Sequence, residues 1–332
     1  MRIMLSHGDG GSLTHELVAQ VFRPVFGDEL LEEQGDAAVV PSPSGHLAIS
    51  TDSFVVQPLE FPGGDIGTLA VAGTVNDLAV SGAVPEYLSV AFVLEEGLEM
   101  ALLRRIAASL ARTAAAAGVR VVAGDTKVVE RGKGDGIYVT TTGVGRVPEP
   151  GRLGFHRIQP GDHVVVSGGL AEHAVAVLCE RAGIRFDPPL RSDCRPLNRM
   201  IQDLLAQFRG VRFLRDPTRG GVATTLKEVT LGTGLDIQIE EGRLPVRPEV
   251  GGALELLGME PWYLANEGKV LIVVAPEEAG DVTAFLREYP GQELAAEIGR
   301  VSAGHGDLWL KTPYGGRRSL GMLSGAPLPR IC

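Results

Sequence analysis

The chain is 332 residues long, with 44% hydrophobic residues, 22% charged residues and a formal net charge of −10. That length points to two domains, and that composition to well-cored globular ones. The acidic balance argues against a nucleic-acid surface, and no stretch approaches the ~20 apolar residues of a membrane span.

In chain order, Met-Arg-Ile-Met-Leu-Ser-His-Gly at the start lacks the apolar run and cleavage pattern of a signal peptide. His7-Gly-Asp-Gly-Gly11 reads as a glycine loop. Ser12 then caps a helix to about Phe26, with Leu13, Leu17 and Val21 near helical spacing. Ala37–Val40 and His46–Ser50 read as strands, Asp65–Val80 as a helix rich in small residues, and Pro85–Leu94 as a strand. Leu98–Ala117 is an Ala-rich helix closed by Gly118, and Val119–Ala123 and Ile137–Val147 are further strands. The order implies an α+β domain with helices on one face of a sheet.

Residues 147–154, Val-Pro-Glu-Pro-Gly-Arg-Leu-Gly, read as a linker. Beyond it a second α+β domain starts with a strand over Asp162–Ser167 and a helix to about Ala182. Ser192–Gln207 is predicted helical, followed by a strand (Val211–Leu214), a helix (Gly221–Leu231), a strand (Asp236–Glu240) and a short helix (Pro248–Leu257). Lys269–Val274 is a buried-type strand, Pro276–Glu288 a helix and Leu294–Val301 a strand. The predicted division is 1–150, 155–315 and a flexible tail over 316–332. The tail ends Pro-Leu-Pro-Arg-Ile-Cys, an extended arm with a thiol at its tip, and Gly315, Gly316, Gly321 and Gly325 supply hinge positions. Cys332 is the terminal residue, so the chain carries no prenylation box. Three cysteines without CxxC spacing oppose a disulfide framework or a cysteine-rich zinc site, and imply a reducing cytoplasm. Cys179 reads as inert core on an apolar helix face; Cys194, in a polar stretch, is ambiguous.

Five aspartates sit at strand ends or turns among small or hydroxyl residues: Asp36, Asp52, Asp77, Asp125 and Asp216. Each alone reads as a cap or Asx turn. Together they supply hard oxygen ligands from several loops, the donor set that Mg²⁺ on a polyphosphate requires. Neither a Walker A motif nor GxGxxG is present, so a nucleotide would bind through another fold. Lys127 follows Asp125 by two residues and is placed to touch a phosphate or move a proton. Arg219, before Gly220-Gly221, is placed to bind phosphate with a helix N-terminus. Glu267, in the polar Asn266-Glu267-Gly268-Lys269 loop between apolar runs, is set for a raised pKa and proton transfer.

Thr51-Asp52-Ser-Phe, Gly73-Thr-Val-Asn-Asp77-Leu-Ala-Val-Ser-Gly, Gly124-Asp-Thr-Lys127, Asp216-Pro-Thr-Arg-Gly-Gly and Ala265-Asn-Glu-Gly-Lys, with the terminal Pro-Arg-Ile-Cys, resemble the HypE family of hydrogenase maturation factors, the carbamoyl dehydratases. The resemblance runs from about Leu5 to Cys332. Without the tail, the acidic motifs would indicate only the wider superfamily of aminoimidazole-ribonucleotide synthetases, selenophosphate synthetases and thiamine-monophosphate kinases. The first acidic motif reads Gly35-Asp36-Ala37, with one acid where the superfamily commonly carries two. The resemblance implies a two-domain aminoimidazole-ribonucleotide-synthetase-like fold and a homodimer whose N-terminal sheets pair into a barrel, with ATP along that assembly. It implies that the carbamoyltransferase HypF loads the terminal thiol, that ATP drives dehydration of the S-carboxamide to S-cyanate, and that the cyano group passes to iron on a HypC–HypD complex. Carried over residue by residue, Cys332 is the carrier, and Lys127 and Glu267 orient or deprotonate the carboxamide. Asp52, Asn76, Asp77, Asp125, Thr126 and Arg219 face ATP, and Asp36, Asp52, Asp77, Asp125 and Asp216 hold Mg²⁺.

Two other readings stand beside this one. Another ATP-dependent enzyme of the superfamily is the first, although the Ser6-His7-Gly-Asp-Gly-Gly loop lacks the thiol and lysine of selenophosphate synthetases. A nucleotide-binding thiol carrier without dehydratase activity is the second.

Overall fold

The computed structural model describes residues 2–4, 7, 16–26, 45–323 and 330–332. Asp36, the Ser12 cap, the strand expected over 37–40 and Gly325 lie outside the described residues. Arg23–Phe26 forms the first α-helical turn, α1, entered through a π-helical turn over Val18–Phe22.

Among the described residues the first half is a four-stranded sheet ordered β1-β6-β4-β5, from β1 (His46–Phe54), β4 (Val84–Glu95), β5 (Arg120–Val129) and β6 (Ile137–Val147). A small hairpin, β2 (Glu60–Phe61) and β3 (Gly64–Asp65), follows β1. Side chains alternate across the sheet. On β1, Ser50, Asp52 and Phe54 face inward, while Leu47, Ile49, Thr51 and Ser53 are exposed. Two helices cover the inner face: α2 (Ile66–Val80) and α3 (Met100–Ala117). Leu103, Ile106, Ala107, Leu110, Ala114 and Ala117 form the buried stripe of α3, and Gly118 ends it in the left-handed conformation (φ 74°).

Helix α2 has no polar face to give to water. Almost every side chain on it is buried, because the sheet lies on one side and the second half of the chain on the other. Close packing on β6 depends on Gly143, where a Cβ would lie 2.8 Å from the side chains of Leu78 and Thr74.

The second half is a seven-stranded sheet in the order β13-β12-β9-β11-β7-β10-β8. Its strands are β7 (His163–Val166), β8 (Val211–Arg215), β9 (Asp236–Glu240), β10 (Leu271–Val274), β11 (Ala296–Ser302), β12 (Leu308–Lys311) and β13 (Arg317–Ser319). Helices α4 (Glu172–Ala182), α5 (Asn198–Gln207), α6 (Gly221–Thr233), α7 (Pro248–Leu257) and α8 (Ala279–Arg287) surround it. Both faces are covered, which explains the unbroken apolar run of β10: Leu271 and Val273 join one core with α6, Ile272 and Val274 another with α5 and α8.

The halves share their cores. Phe54, Val71 and Ile106 belong to one cluster with Val175, Leu254, Ala265 and Ile331, while Ala79 and Val80 of α2 enter the core of the second sheet.

Three local expectations differ from the structure. β5 runs to Val129, so Asp125 and Lys127 lie within a strand rather than after one. The helix expected from Ser192 begins only at Asn198, and Ser192–Leu197 is an irregular segment turned into the seam. Within the segment expected from residue 316 to be a flexible tail, Arg317–Ser319 pairs with β12 and Leu320 is buried.

Candidate active site

Three acids from separate elements meet at the seam. Asp52 comes from the inner face of β1, Asp77 from the last turn of α2, and Asp216 from the loop after β8. They line a cleft of about 690 Å³ together with Ser50, Ser81 and Thr218. Ser50 Oγ donates to Asp77 Oδ2 at 2.7 Å, and Thr74 Oγ1 to Asp52 Oδ2 at 3.3 Å. Burial, then the neighbouring Asp77, raises Asp52 to about 6, and the same two causes raise Asp216 to about 7. The cluster therefore holds protons at neutral pH that isolated aspartates would have lost, and a cation would displace them.

Glu267 stands deeper. It is buried, and burial followed by the charges of Asp216, Asp193, Asp52 and Asp77 lifts its pKa well above the usual carboxylate range. Its Oε1 has no hydrogen-bond partner among the described residues. A carboxyl group with an open oxygen in a dry site is available to a substrate N–H. The loop carrying it is held by the protein: Asp193 Oδ1 accepts the Glu267 N–H at 3.2 Å, and Oδ2 accepts the Gly268 N–H at 3.1 Å. A Cβ at position 268 would collide with the Asp193 carbonyl, so only glycine lets the loop lie this close. Asn266 ties the other side, accepting from Ala171 N at 2.8 Å and donating to Pro217 O at 3.0 Å. Fully buried Lys269 ends the loop 3.1 Å from Glu172 Oε2 and 3.5 Å from Asp193 Oδ2.

The chain terminus reaches this place. Arg330 turns the backbone in the left-handed region (φ 59°), Ile331 is buried in the shared core, and Cys332 is half-buried. Burial, then the charge of Glu267, pushes the Cys332 thiol up to about 12, against the opposing pull of Arg219, whose side chain also hydrogen-bonds it. Arg219 also lowers Asp52 electrostatically, so its charge is felt by both the acid cluster and the sulfur.

Other expected residues lie elsewhere. Asp125 and Lys127 form an exposed pair at 3.0 Å. They pair in register with Ala91 and Val93 and so project from the outer sheet face, opposite Asp52. Thr126 N–H donates to Asp125 Oδ1 at 2.8 Å. Asn76 spends its amide on the seam, accepting from Leu197 N at 2.7 Å and donating to Arg195 O at 3.1 Å. Several site residues escaped the sequence reading: His173, Ser192, Asp193, Glu172 and Lys269. The available signal was the Glu172-His173 pair opening an otherwise apolar helix.

The residues fit Mg²⁺ brought in with a nucleotide. Asp52, Asp77 and Asp216 offer hard oxygens whose mutual repulsion a cation would relieve. Among the described residues no three of His, Cys, Asp and Glu are grouped to cage an ion unaided. That suits a cation which keeps most of its shell as phosphate oxygens and water.

Residues 34–147 match the N-terminal domain, and 159–311 the C-terminal domain, of AIR synthase related proteins. The carbamoyl dehydratase HypE of Rhodobacter capsulatus is 47% identical over 334 residues, covering 100% of this chain and 98% of that protein. A crystal structure of the hydrogenase maturation protein HypE in complex with ATP superposes with a TM-score of 0.95 at 42% identity, covering 99% of each chain. HypE from a HypE–HypF complex superposes with a TM-score of 0.80 at 40% identity, covering 94% of this chain and 100% of that one.

Proposed function

This chain belongs to the HypE family of carbamoyl dehydratases, on the AIR synthase-related fold, and from that premise we propose that it converts an S-carbamoyl group on its own Cys332 to S-cyanate at the expense of ATP. The balance is R–S–C(=O)–NH₂ plus ATP giving R–S–C≡N, ADP and phosphate. The carboxamide oxygen attacks the terminal phosphorus and ADP leaves. Loss of nitrogen-bound protons and of phosphate then opens the nitrile.

One observation supports the reading: the terminal thiol hydrogen-bonds Arg219 and feels the charge of a buried glutamate whose Oε1 has no partner among the described residues. Glu267 receives the carboxamide N–H at that oxygen and moves its proton. Arg219, which hydrogen-bonds the sulfur, orients the group for transfer. Asp52, Asp77 and Asp216, with Asp36 and Asp125, are the candidates to hold Mg²⁺, which would neutralise charge on the phosphates.

The finer assignments follow the family. Residues 1–150 form the nucleotide-binding and dimerisation domain, 155–315 the second domain, and the remainder the carrier tail. The outer sheet face, where Leu47 and Ile49 are exposed among the described residues, suits pairing with a second copy into a barrel. In that dimer Lys127 and Asp125 would face the assembly, whereas Thr126, between them on the strand, shares the inner face with Phe92. HypF loads the thiol, a HypC–HypD complex receives the cyano group for a [NiFe]-hydrogenase, and a reducing cytoplasm keeps Cys332 free.

The test is intact-protein mass after loading with HypF, carbamoyl phosphate and ATP, followed by a chase with Mg-ATP. An adduct on Cys332 that loses the mass of one water is the expected result. An adduct that persists would mark a carrier alone, and no adduct with a competent HypF would point to another substrate.

A further inference from the structure

The terminal three residues are gripped mostly by their main chain. Arg181 Nη2 and the Gln57 N–H both donate to the Arg330 carbonyl, at 2.8 and 3.1 Å. Arg181 Nε also donates to the Gln57 carbonyl at 3.0 Å, so the arginine binds the strand exit and the tail together. His173 Nε2 lies 2.8 Å from the Ile331 carbonyl. A carbonyl only accepts, so Nε2 carries the proton. Its Nδ1 lies 2.8 Å from Ser192 Oγ, whose hydroxyl donates to it, and that oxygen accepts the Cys194 N–H at 3.0 Å. A continuous relay thus fixes the histidine tautomer and ring plane, with the edge of the ring against Phe61, centroids 5.4 Å apart. Arg330 adds an ion pair to Asp135 at 2.8 Å, and the Ile331 side chain fills the shared core.

We propose that the cleft recognises Arg330-Ile331-Cys332 as a tethered peptide through its main-chain carbonyls, with His173 and Arg181 as the positioning residues that seat the terminal sulfur beside Glu267. The proposal rests on reading Cys332 as the carrier, and adds how the carrier is held. Neither residue touches the reacting atoms. His173 grips the carbonyl one residue before Cys332, so the hydrogen bond fixes where the last residue begins. Arg181 fixes the bend before it. Among the tail side chains Ile331 is the buried one and Arg330 adds a half-exposed ion pair to Asp135, so the cradle reads chain path and one aliphatic residue, with one charge at its mouth.

The experiment is alkylation of the full-length protein with iodoacetamide at one pH, without carbamoyl group or nucleotide, followed by peptide mass mapping. Wild type, His173→Ala, His173→Gln and Arg181→Met are compared. The rate at Cys332 is expected to rise about tenfold in His173→Ala and Arg181→Met, near the upper end for loss of one net hydrogen bond. His173→Gln, whose amide still donates, returns the rate toward wild type. Buried Cys179 and Cys194 serve as internal reporters of folding: they stay unreacted in a variant that has lost only the grip, and react in one that has unfolded. On the loaded protein, single-turnover cyanate formation should fall in His173→Ala and recover in His173→Gln. Equal Cys332 alkylation in wild type, His173→Ala and Arg181→Met would overturn the proposal. That outcome is separate from failure of the dehydratase reading, which is decided by mass loss in the loaded wild-type chain.

Discussion

Asp193 accepts the main-chain N–H of Glu267 through Oδ1 at 3.2 Å, and its other oxygen faces the buried ammonium of Lys269 at 3.5 Å. One carboxylate therefore anchors the loop of the candidate base and pairs with the only lysine that the shared interior holds among the described residues. Removing the cation leaves Asp193 uncompensated, while Glu172 keeps Arg247 at 2.6 Å. Lys269→Met should destabilise the fold by about 3–5 kcal/mol, the usual consequence of breaking a buried ion pair from one side. Urea denaturation measures this, and a change under 1 kcal/mol would show that the pair contributes no more than a surface one.

Glu267→Gln should leave the fold intact. The native carboxyl is held well above its usual pKa, and a neutral amide of the same shape removes its repulsion from Asp216, Asp193, Asp52 and Asp77. Dehydration of the loaded chain should nevertheless drop by about 10²–10⁴, the range for a missing acid–base group. A quenched-flow mass assay reads the rate; retention of the wild-type rate removes Glu267 from the mechanism.

Stability should fall as pH rises from about 4 to about 7. Asp52 is raised from its ordinary 3.8 to about 6 and Asp216 to about 7, so the folded chain keeps protons the unfolded chain has lost. Their contribution is full below the ordinary value and disappears as pH climbs through the folded ones. Asp216→Asn should flatten that fall. Mg²⁺ added together with ATP above this window should raise the wild-type denaturation midpoint more than that of the variant. Parallel pH profiles for the two proteins would contradict the assignment.

Asp65 caps α2, accepting the Thr68 N–H at 2.8 Å and the Ser109 hydroxyl at 2.6 Å. Asp65→Ala should lower stability by about 1–2 kcal/mol through the lost cap. Because α2 carries Asp77, nucleotide affinity measured by calorimetry should weaken along with the denaturation midpoint.

How far the sequence could be read depended on distance along the chain. The β10 run and the α3 stripe declare themselves by local periodicity, and both were legible. Glu267 was legible because a polar loop between two apolar runs is conspicuous. Asp125 and Lys127 were named as candidates without their orientation, since a strand end placed at Ala123 hides the alternation that sends them outward. Ser192–Leu197 defeated a helical reading because tertiary partners absorb its polar groups: Ser192 bonds His173, and Asp193 bonds the Glu267 loop. His173 itself looked like one more residue of an apolar helix. Its partner at Ile331 lies 158 positions away, and no local pattern encodes such a contact.

The shared core also restricts what can move. Helix α2 is sheathed by both halves, and Val175, Leu254 and Ile331 pack in one cluster with Phe54 and Ile106. A rod kept dry from two sides is a poor bearing, because swinging either lobe away would wet it. The lobes should melt in a single transition, and neither should survive expression alone. Two lobes sealed along such a rod form a rigid vise rather than two jaws that open.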